Sequence, residues 1–402
     1  MSYDQDPSRQ IGYLQQVLAS DKKPLGFFLG AGCPMAIRVG PDGTLPLIPD
    51  MAGVTEMVRL RLTGSDGCGR LLGLVEEQLK KDGRDNATLE DILTHIRALR
   101  AVVGRDRVRR LSAEDLDRLD DRICELVQEI ADQTLPGADT PYHSIAAWVD
   151  AVHRESPVEV FTTNYDLLME QAFESVRVPY FDGFAGARKP FFDLRAMEED
   201  VLPPRWARLW KLHGSVNWYQ VPKGGVFRGT SDEADSQKRV IYPSHLKYEQ
   251  SRRMPYLAMI DRLRAFLKQT TAALVLCGCS FRDDHITEVI VQGLRSTQTA
   301  VAFALLFGEL ANYPRAVDLA TKRPNLNILA RDGGVISGQE SRWLQKDPGP
   351  VAPGDSKWLK WVPAEEGMQK AELALGDFAT FGQLLQEVTG RARQLPDQAD
   401  AQ

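Results

Sequence analysis

The chain is 402 residues long, 43% hydrophobic and 26% charged, which is enough apolar material for a sizeable core and more than one subdomain. Its 49 Lys and Arg against 55 Asp and Glu leave a net charge of −6, which argues against a dedicated nucleic-acid surface. A polar, acidic start without a signal-peptide pattern, no run of the roughly 18 apolar residues a membrane span needs, and five cysteines without zinc-site spacing lead us to expect a soluble cytoplasmic protein with free thiols.

In chain order, a short amphipathic helix is expected over residues 10–19. An apolar strand follows from residue 25 and runs into the glycine turn Gly30-Ala31-Gly32, with Pro34 suited to a first helical turn. Such a turn lets backbone N–H groups come close to a phosphate, although many short glycine turns bind nothing. Residues 39–50, rich in Pro and Gly, read as a loop. Thr88 and Ser112 are expected to cap helices with apolar stripes at Leu89, Ile92, Leu93, Ile96, Leu99 and at Leu116, Leu119, Ile123, Leu126, Ile130. The best basic patch, Arg105 to Arg110, reads as a solvated helix end or loop because Asp106 interrupts it and acidic residues follow.

The stretch around which the chain is organised is VEVFTTNYDLLME, residues 158–170. Its β-branched first half reads as a buried strand and its second half as the start of a helix, so Asn164-Tyr165-Asp166 sits at the carboxyl end of a strand, where open α/β sheets bind ligands. The bland reading is a local cap, since Asn and Asp serve both purposes. Residues 179–204 read as irregular, and the chain re-forms as RLWKLHGS, a short strand ending on His213 before Gly214. A histidine there is either placed for acid–base work or hydrogen-bonded to backbone.

Residues 223–238 read as a mobile hairpin or lid. An uninterrupted apolar strand over 272–279 ends in Gly278-Cys279-Ser280-Phe281-Arg282-Asp283-Asp284, where Ser280 and a carboxylate could hold ribose or phosphate oxygens, or simply cap the next helix. Helix 285–294, strand 300–307, helix 309–321 and strand 326–330 continue the alternation, which favours a parallel, doubly wound sheet. Residues 335–376, with Trp343, Trp358 and Trp361, read as loop-rich, and a closing helix is expected over 377–393.

The ordered set GAG, TTNYD, KLHGS and GCSFRDD resembles the sirtuin-like NAD-consuming family, and more closely its bacterial branch of NAD hydrolases that act as antiphage defence effectors. The likeness covers residues 25–334, the helical block being less characteristic. It implies a Rossmann-like α/β fold in four parts: 1–50 as the first part of the nucleotide-binding domain, 51–135 as a helical insertion, 136–334 as its remainder, and 335–402 as a C-terminal extension. It implies Gly30, Ala31 and Gly32 at the NAD pyrophosphate, Asn164 at the nicotinamide ribose, Asp166 near the carboxamide and His213 as the catalytic histidine. Gly278 and Ser280 would line the adenosine side, with Asp284 as the acidic position after that turn.

Sirtuin deacylases carry a zinc ribbon of paired cysteines, and this sequence has no C-x-x-C. Plain NAD+ hydrolysis without a metal is therefore expected over deacylation. The resemblance also implies regulation by assembly, as a homo-oligomer or with a second protein such as a HerA-like hexameric ATPase or an Argonaute-like protein. The helical insertion and the tryptophan-bearing C-terminal region are the expected interfaces, with no membrane and no direct nucleic-acid contact. Two other classes share these features: a nucleotide sensor without turnover, and a DNA-associated subunit using Arg105 to Arg110.

Overall fold

The computed structural model describes residues 6–64, 67–137, 139–220, 225–229, 238–241, 255–345, 357–364 and 367–390. Its main feature is a nine-stranded sheet. In chain order the strands are β1 (Leu25–Leu29), β2 (Glu159–Thr162), β3 (Tyr180–Phe181), β4 (Ala207–Lys211), β5 (Ala273–Cys277), β6 (Val301–Leu305), β7 (Leu326–Leu329), β8 (Gly333–Ile336) and β9 (Gln339–Arg342). Their spatial order is β9-β8-β7-β6-β5-β1-β2-β4-β3, parallel from β7 through β3, with β8 and β9 antiparallel.

From β1 the chain moves to β2 and later to β4 on one side, then crosses back to β5 on the other side of β1. The strand order therefore reverses between β1 and β5, and the crevice at their carboxyl ends is the topological switch point of an open α/β sheet. Alternate residues of each strand feed two separate cores. Phe27, Val160, Leu209 and Val275 enter one, while Phe28, Phe161, Trp210 and Leu276 enter the other. The first core is covered by helices Pro7–Ala19, Pro141–Ala151, Leu168–Val176 and Phe378–Val388, the second by Tyr256–Leu267, Asp284–Ser296 and Pro314–Thr321. Burial on both faces explains why the strands read as continuous apolar runs.

Between β1 and β2 lie helices Met51–Thr63, Cys68–Lys81, Leu89–Val102 and Ala113–Ala131. Thr88 with Asp91 and Ser112 with Asp115 form capping boxes, and the expected stripes are buried. Each such cap stabilises its helix by about 1 kcal/mol. The Arg97 to Asp120 pair, at 2.7 Å, ties the last two helices together. Arg105 to Arg110 lie in the loop between them, where Arg109 and Arg110 adopt left-handed backbone (φ 49 and 71) and Arg109 pairs with Asp82.

Several stretches expected to be irregular are ordered β structure. Residues 39–50 include a small ladder, Arg38–Val39 with Leu45–Pro46. Phe184–Ala185 and Phe191–Phe192, together with helix Leu194–Glu199, occupy the region after residue 179, and the two strands join Gly214–Gln220, Val226–Arg228 and Lys238–Ile241 in a second, antiparallel sheet. Of the expected lid over 223–238, residues 223–224 and 230–237 lie outside the described residues. The helix expected over 309–321 splits into a 3-10 turn and Pro314–Thr321, because Pro314 supplies no N–H and starts a new first turn.

After β7 the chain reverses into β8, and residues 335–376, expected to be loop-rich, contribute β9 and a three-stranded sheet of Leu344–Gln345, Gln369–Leu373 and Leu359–Pro363. Trp343 and Trp358 are fully buried there and pack into the first core. The short alternating strands of this region were hidden by the prolines and charges between them.

Candidate active site

The site is built where β1, β2 and β4 end side by side. Thr162, the last residue of β2, donates its hydroxyl to the Leu29 carbonyl at 2.9 Å and accepts the Asn164 N–H at 3.0 Å. Asn164 in turn donates its side-chain amide to the Gly30 carbonyl at 3.1 Å. The NYD turn is therefore locked to the glycine turn by side chains as well as by the sheet.

At the end of β4 the Leu212 N–H continues the ladder to the Thr162 carbonyl at 2.8 Å, and the chain then turns through His213 and Gly214. Gly214 has φ +92, a conformation that favours glycine, and it lets strand Gly214–Gln220 leave in a new direction directly after the histidine. The Tyr165 carbonyl receives the Val216 N–H at 2.9 Å and the Ser215 hydroxyl at 3.4 Å, which fixes the two turns against each other. The His213 ring lies beside the Tyr165 ring, with centroids 6.5 Å apart.

His213 Nε2 is 3.0 Å from Asp283 Oδ2. The other oxygen of Asp283 accepts the N–H groups of His285 and Ile286 and caps helix Asp284–Ser296. One carboxylate thus ties the histidine turn to the loop after β5.

Beneath the mouth is a buried polar floor. Lys211 Nζ is 3.0 Å from Glu170 Oε1 and also donates to the Asp166 carbonyl. The Asp166 carboxyl accepts the Leu168 N–H at 3.1 Å. Burial pushes that carboxyl up to about 6, with the Lys211 ammonium acting against the rise. Burial, reinforced by Asp166 and Cys33, also drives the Tyr142 phenol well above its ordinary value, so it stays neutral.

The glycine turns meet at the switch point. The Gly30 N–H donates to the Cys277 carbonyl at 2.9 Å and the Gly32 N–H to the Gly278 carbonyl at 3.1 Å. A Cβ on Gly30 would stand 2.4 Å from Gly278 O, and one on Gly32 2.8 Å from Gly278 Cα. Both glycines are therefore required by the close docking of the β1 and β5 turns, and their N–H groups are used in it, while the intervening Ala31 is exposed. Cys33 is fully buried behind them and donates its thiol to the Cys277 carbonyl at 3.3 Å, the behaviour of a space-filling thiol.

Asn164, Asp166, His213, Gly30, Ala31, Gly32, Gly278 and Ser280 are thus gathered at the ends of four neighbouring strands. Asp284 points away: its side chain is exposed and paired with Arg315. It is Asp283, the preceding residue, that stands beside His213. The helix register could have separated them, because a cap precedes the first helical residue and the buried stripe Ile286, Val289, Ile290 turns Asp284 outward. The Lys211 to Glu170 pair was also missed; a lysine between Trp210 and Leu212 in an apolar strand was its only signal.

The helical block between β1 and β2 borders this site. The Tyr165 phenol, raised by burial, also feels Glu90 and Arg97 of helix Leu89–Val102 and Asp283 on the strand-end side. Among the described residues no group of three or more His, Cys, Asp or Glu is arranged to hold a metal ion, and no helix is long and apolar enough to cross a membrane.

A search of curated proteins returns no match. Among solved structures, a chain from a study of the structural basis for the mechanism and regulation of Sir2 enzymes aligns at 14% identity with a TM-score of 0.37, covering 76% of this chain and 88% of that one. Residues 158–325, which carry Asn164, Asp166, His213, Gly278, Ser280 and Asp283, match the family model described as a SIR2-like domain.

Proposed function

We propose that this protein hydrolyses NAD+ at the nicotinamide N-glycosidic bond, giving nicotinamide and ADP-ribose. The observation that carries the reading is the convergence of a carboxamide, Asn164, and an imidazole, His213, at the mouths of adjacent strands beside the switch point. The match of residues 158–325 to a SIR2-like domain supports an NAD+-utilising activity in general.

Nicotinamide leaves NAD+ as a neutral base, so the site needs no strong acid. It needs a positioned nucleophile and stabilisation of a ribose with oxocarbenium character. Asn164 orients a ribose hydroxyl or water, His213 takes the proton, and Asp166, with its negative charge near the developing cation, orients the carboxamide. Gly30, Ala31 and Gly32 face the pyrophosphate, with exposed Ala31 the member whose N–H is not spent in docking the two turns. Gly278 and Ser280 line the adenosine side, and Asp284 borders it from outside.

The resemblance to defence effectors extends the proposal. The activity depletes cellular NAD+ when triggered, and is held in check by self-assembly or by a partner such as a HerA-like ATPase or an Argonaute-like protein.

Incubation with NAD+ in 18O-enriched water tests the reaction class. Hydrolysis places one 18O on the ADP-ribose C1″ hydroxyl, whereas release of nicotinamide only when an acylated peptide is added would replace this reading with deacylation.

A further inference from the structure

We infer that Asp283 is the positioning residue of His213, holding the proton on Nε2 so that Nδ1 is the basic nitrogen of the site. The assignment rests on the reading of His213 as a proton acceptor and adds the group through which that role is set.

The two oxygens of the Asp283 carboxylate meet different partners. An N-cap needs a single acceptor, and Oδ1 supplies it to His285 N at 3.1 Å and Ile286 N at 3.3 Å. Serine or threonine would do the same. The second oxygen, Oδ2, lies 3.0 Å from His213 Nε2, across an interval of chain that includes three strands of the second sheet and β5. The backbone bonds to Oδ1 anchor the carboxylate at the start of the helix, from which Oδ2 is presented to the ring.

Phe281, two residues earlier, is buried in left-handed backbone at φ 57, and the Thr287 hydroxyl donates to its carbonyl. A buried non-glycine residue in that region persists only where the surroundings over-determine it. The loop that delivers Asp283 is thus held in a costly shape.

A carboxylate accepts hydrogen bonds only, so opposite Nε2 it selects the tautomer with Nε2–H and leaves the lone pair on Nδ1. In hydrolysis a water proton moves to Nδ1, the water oxygen forms the bond to C1″, and the C1″–N pair leaves with nicotinamide. The imidazolium so formed is stabilised by Asp283, and its proton is later released to solvent. Among the described residues, the charged and titratable groups near the ring include Tyr165, tilted beside it, with Glu90 and Arg97 acting on Tyr165, and the buried Lys211, Glu170 and Asp166.

Selective 15N-histidine labelling of the full chain, with His213→Gln to assign the signal among six histidines, tests this directly. We expect wild type to show the Nε2–H tautomer. Asp283→Asn keeps the cap through its carbonyl and turns an N–H donor toward Nε2, so the proton should move to Nδ1 and the titration midpoint of His213 fall by about one pH unit or more. Asp283→Ser, which keeps the cap and removes the second oxygen, carries the same test should the Asn protein fail to fold.

In turnover, Asp283→Asn is expected to lower kcat about hundredfold with KM changed by no more than a few fold, and Asp283→Glu to recover part of the loss. An unchanged tautomer and titration midpoint in both Asn and Ser proteins would overturn the assignment, as would Asp283→Ser turning over at the wild-type rate. The tautomer is read without NAD+, so a failure of the hydrolase proposal leaves this result standing or falling by itself.

Discussion

Asn164 donates its carboxamide to the Gly30 carbonyl at 3.1 Å, joining two turns that lie 134 residues apart in the chain. The bond ties the expected ribose-binding residue to the expected phosphate-binding turn, and it fixes which end of the carboxamide faces outward. With Nδ2 committed to Gly30, Oδ1 is the end left to accept from a hydroxyl or water in the proposed reaction.

Replacement of Asn164 by Ala removes this acceptor and the tie together. Turnover should fall by at least about a hundredfold. Stability should fall by only about 1 kcal/mol, the usual net worth of one hydrogen bond, and a urea titration beside the rate measurement separates the two effects.

Gly30→Ala should act the other way round. Its Cβ would stand 2.4 Å from Gly278 O, backbone against backbone with no flexible side chain to give way. We expect a loss of about 2–3 kcal/mol in unfolding free energy, near the upper end for overpacking, whether or not NAD+ is the ligand.

Asp166 gives the fold a pH dependence of known sign. Its carboxyl is pushed up to about 6 by burial, above the unfolded value of about 3.9. A raised carboxyl stabilises the fold most fully below its unfolded value, and that contribution is lost as pH rises through its folded value. Asp166→Asn should therefore be more stable than wild type at about pH 8, by roughly 1–3 kcal/mol, with the difference vanishing below about pH 4. Thermal melts across this range measure it.

Lys211→Met should be among the most damaging single changes outside the apolar core. It leaves Glu170 buried without its ammonium partner and removes the donor to the Asp166 carbonyl. Breaking one side of a buried pair costs about 3–5 kcal/mol, and the double change Lys211→Met with Glu170→Leu should recover much of it in the same unfolding assay.

The parallel core was readable because both its faces are buried, so its strands appear as unbroken apolar runs such as Leu25–Leu29 and Ala273–Cys277. The capped helices were readable because Thr88 and Ser112 stand three residues before their acidic partners. The edge β structure after residue 335 was not, because strands of two to five residues interrupted by prolines carry too little period-two pattern. At the site, the residue types at strand ends were legible, but the contact between His213 and Asp283 depends on the angle at which a helix begins. That angle is fixed by tertiary packing; the helix register separates the two adjacent carboxylates, but no local pattern encodes what the inward one meets.

Product analysis after incubating the purified chain with NAD+, with His213→Ala treated in parallel, tests NAD+ hydrolysis at this site. We expect nicotinamide and ADP-ribose in equal amounts from wild type, and a loss of at least about a hundredfold in the variant while its melting profile is preserved. NAD+ recovered intact from wild type, or equal release of nicotinamide by both proteins, would contradict it.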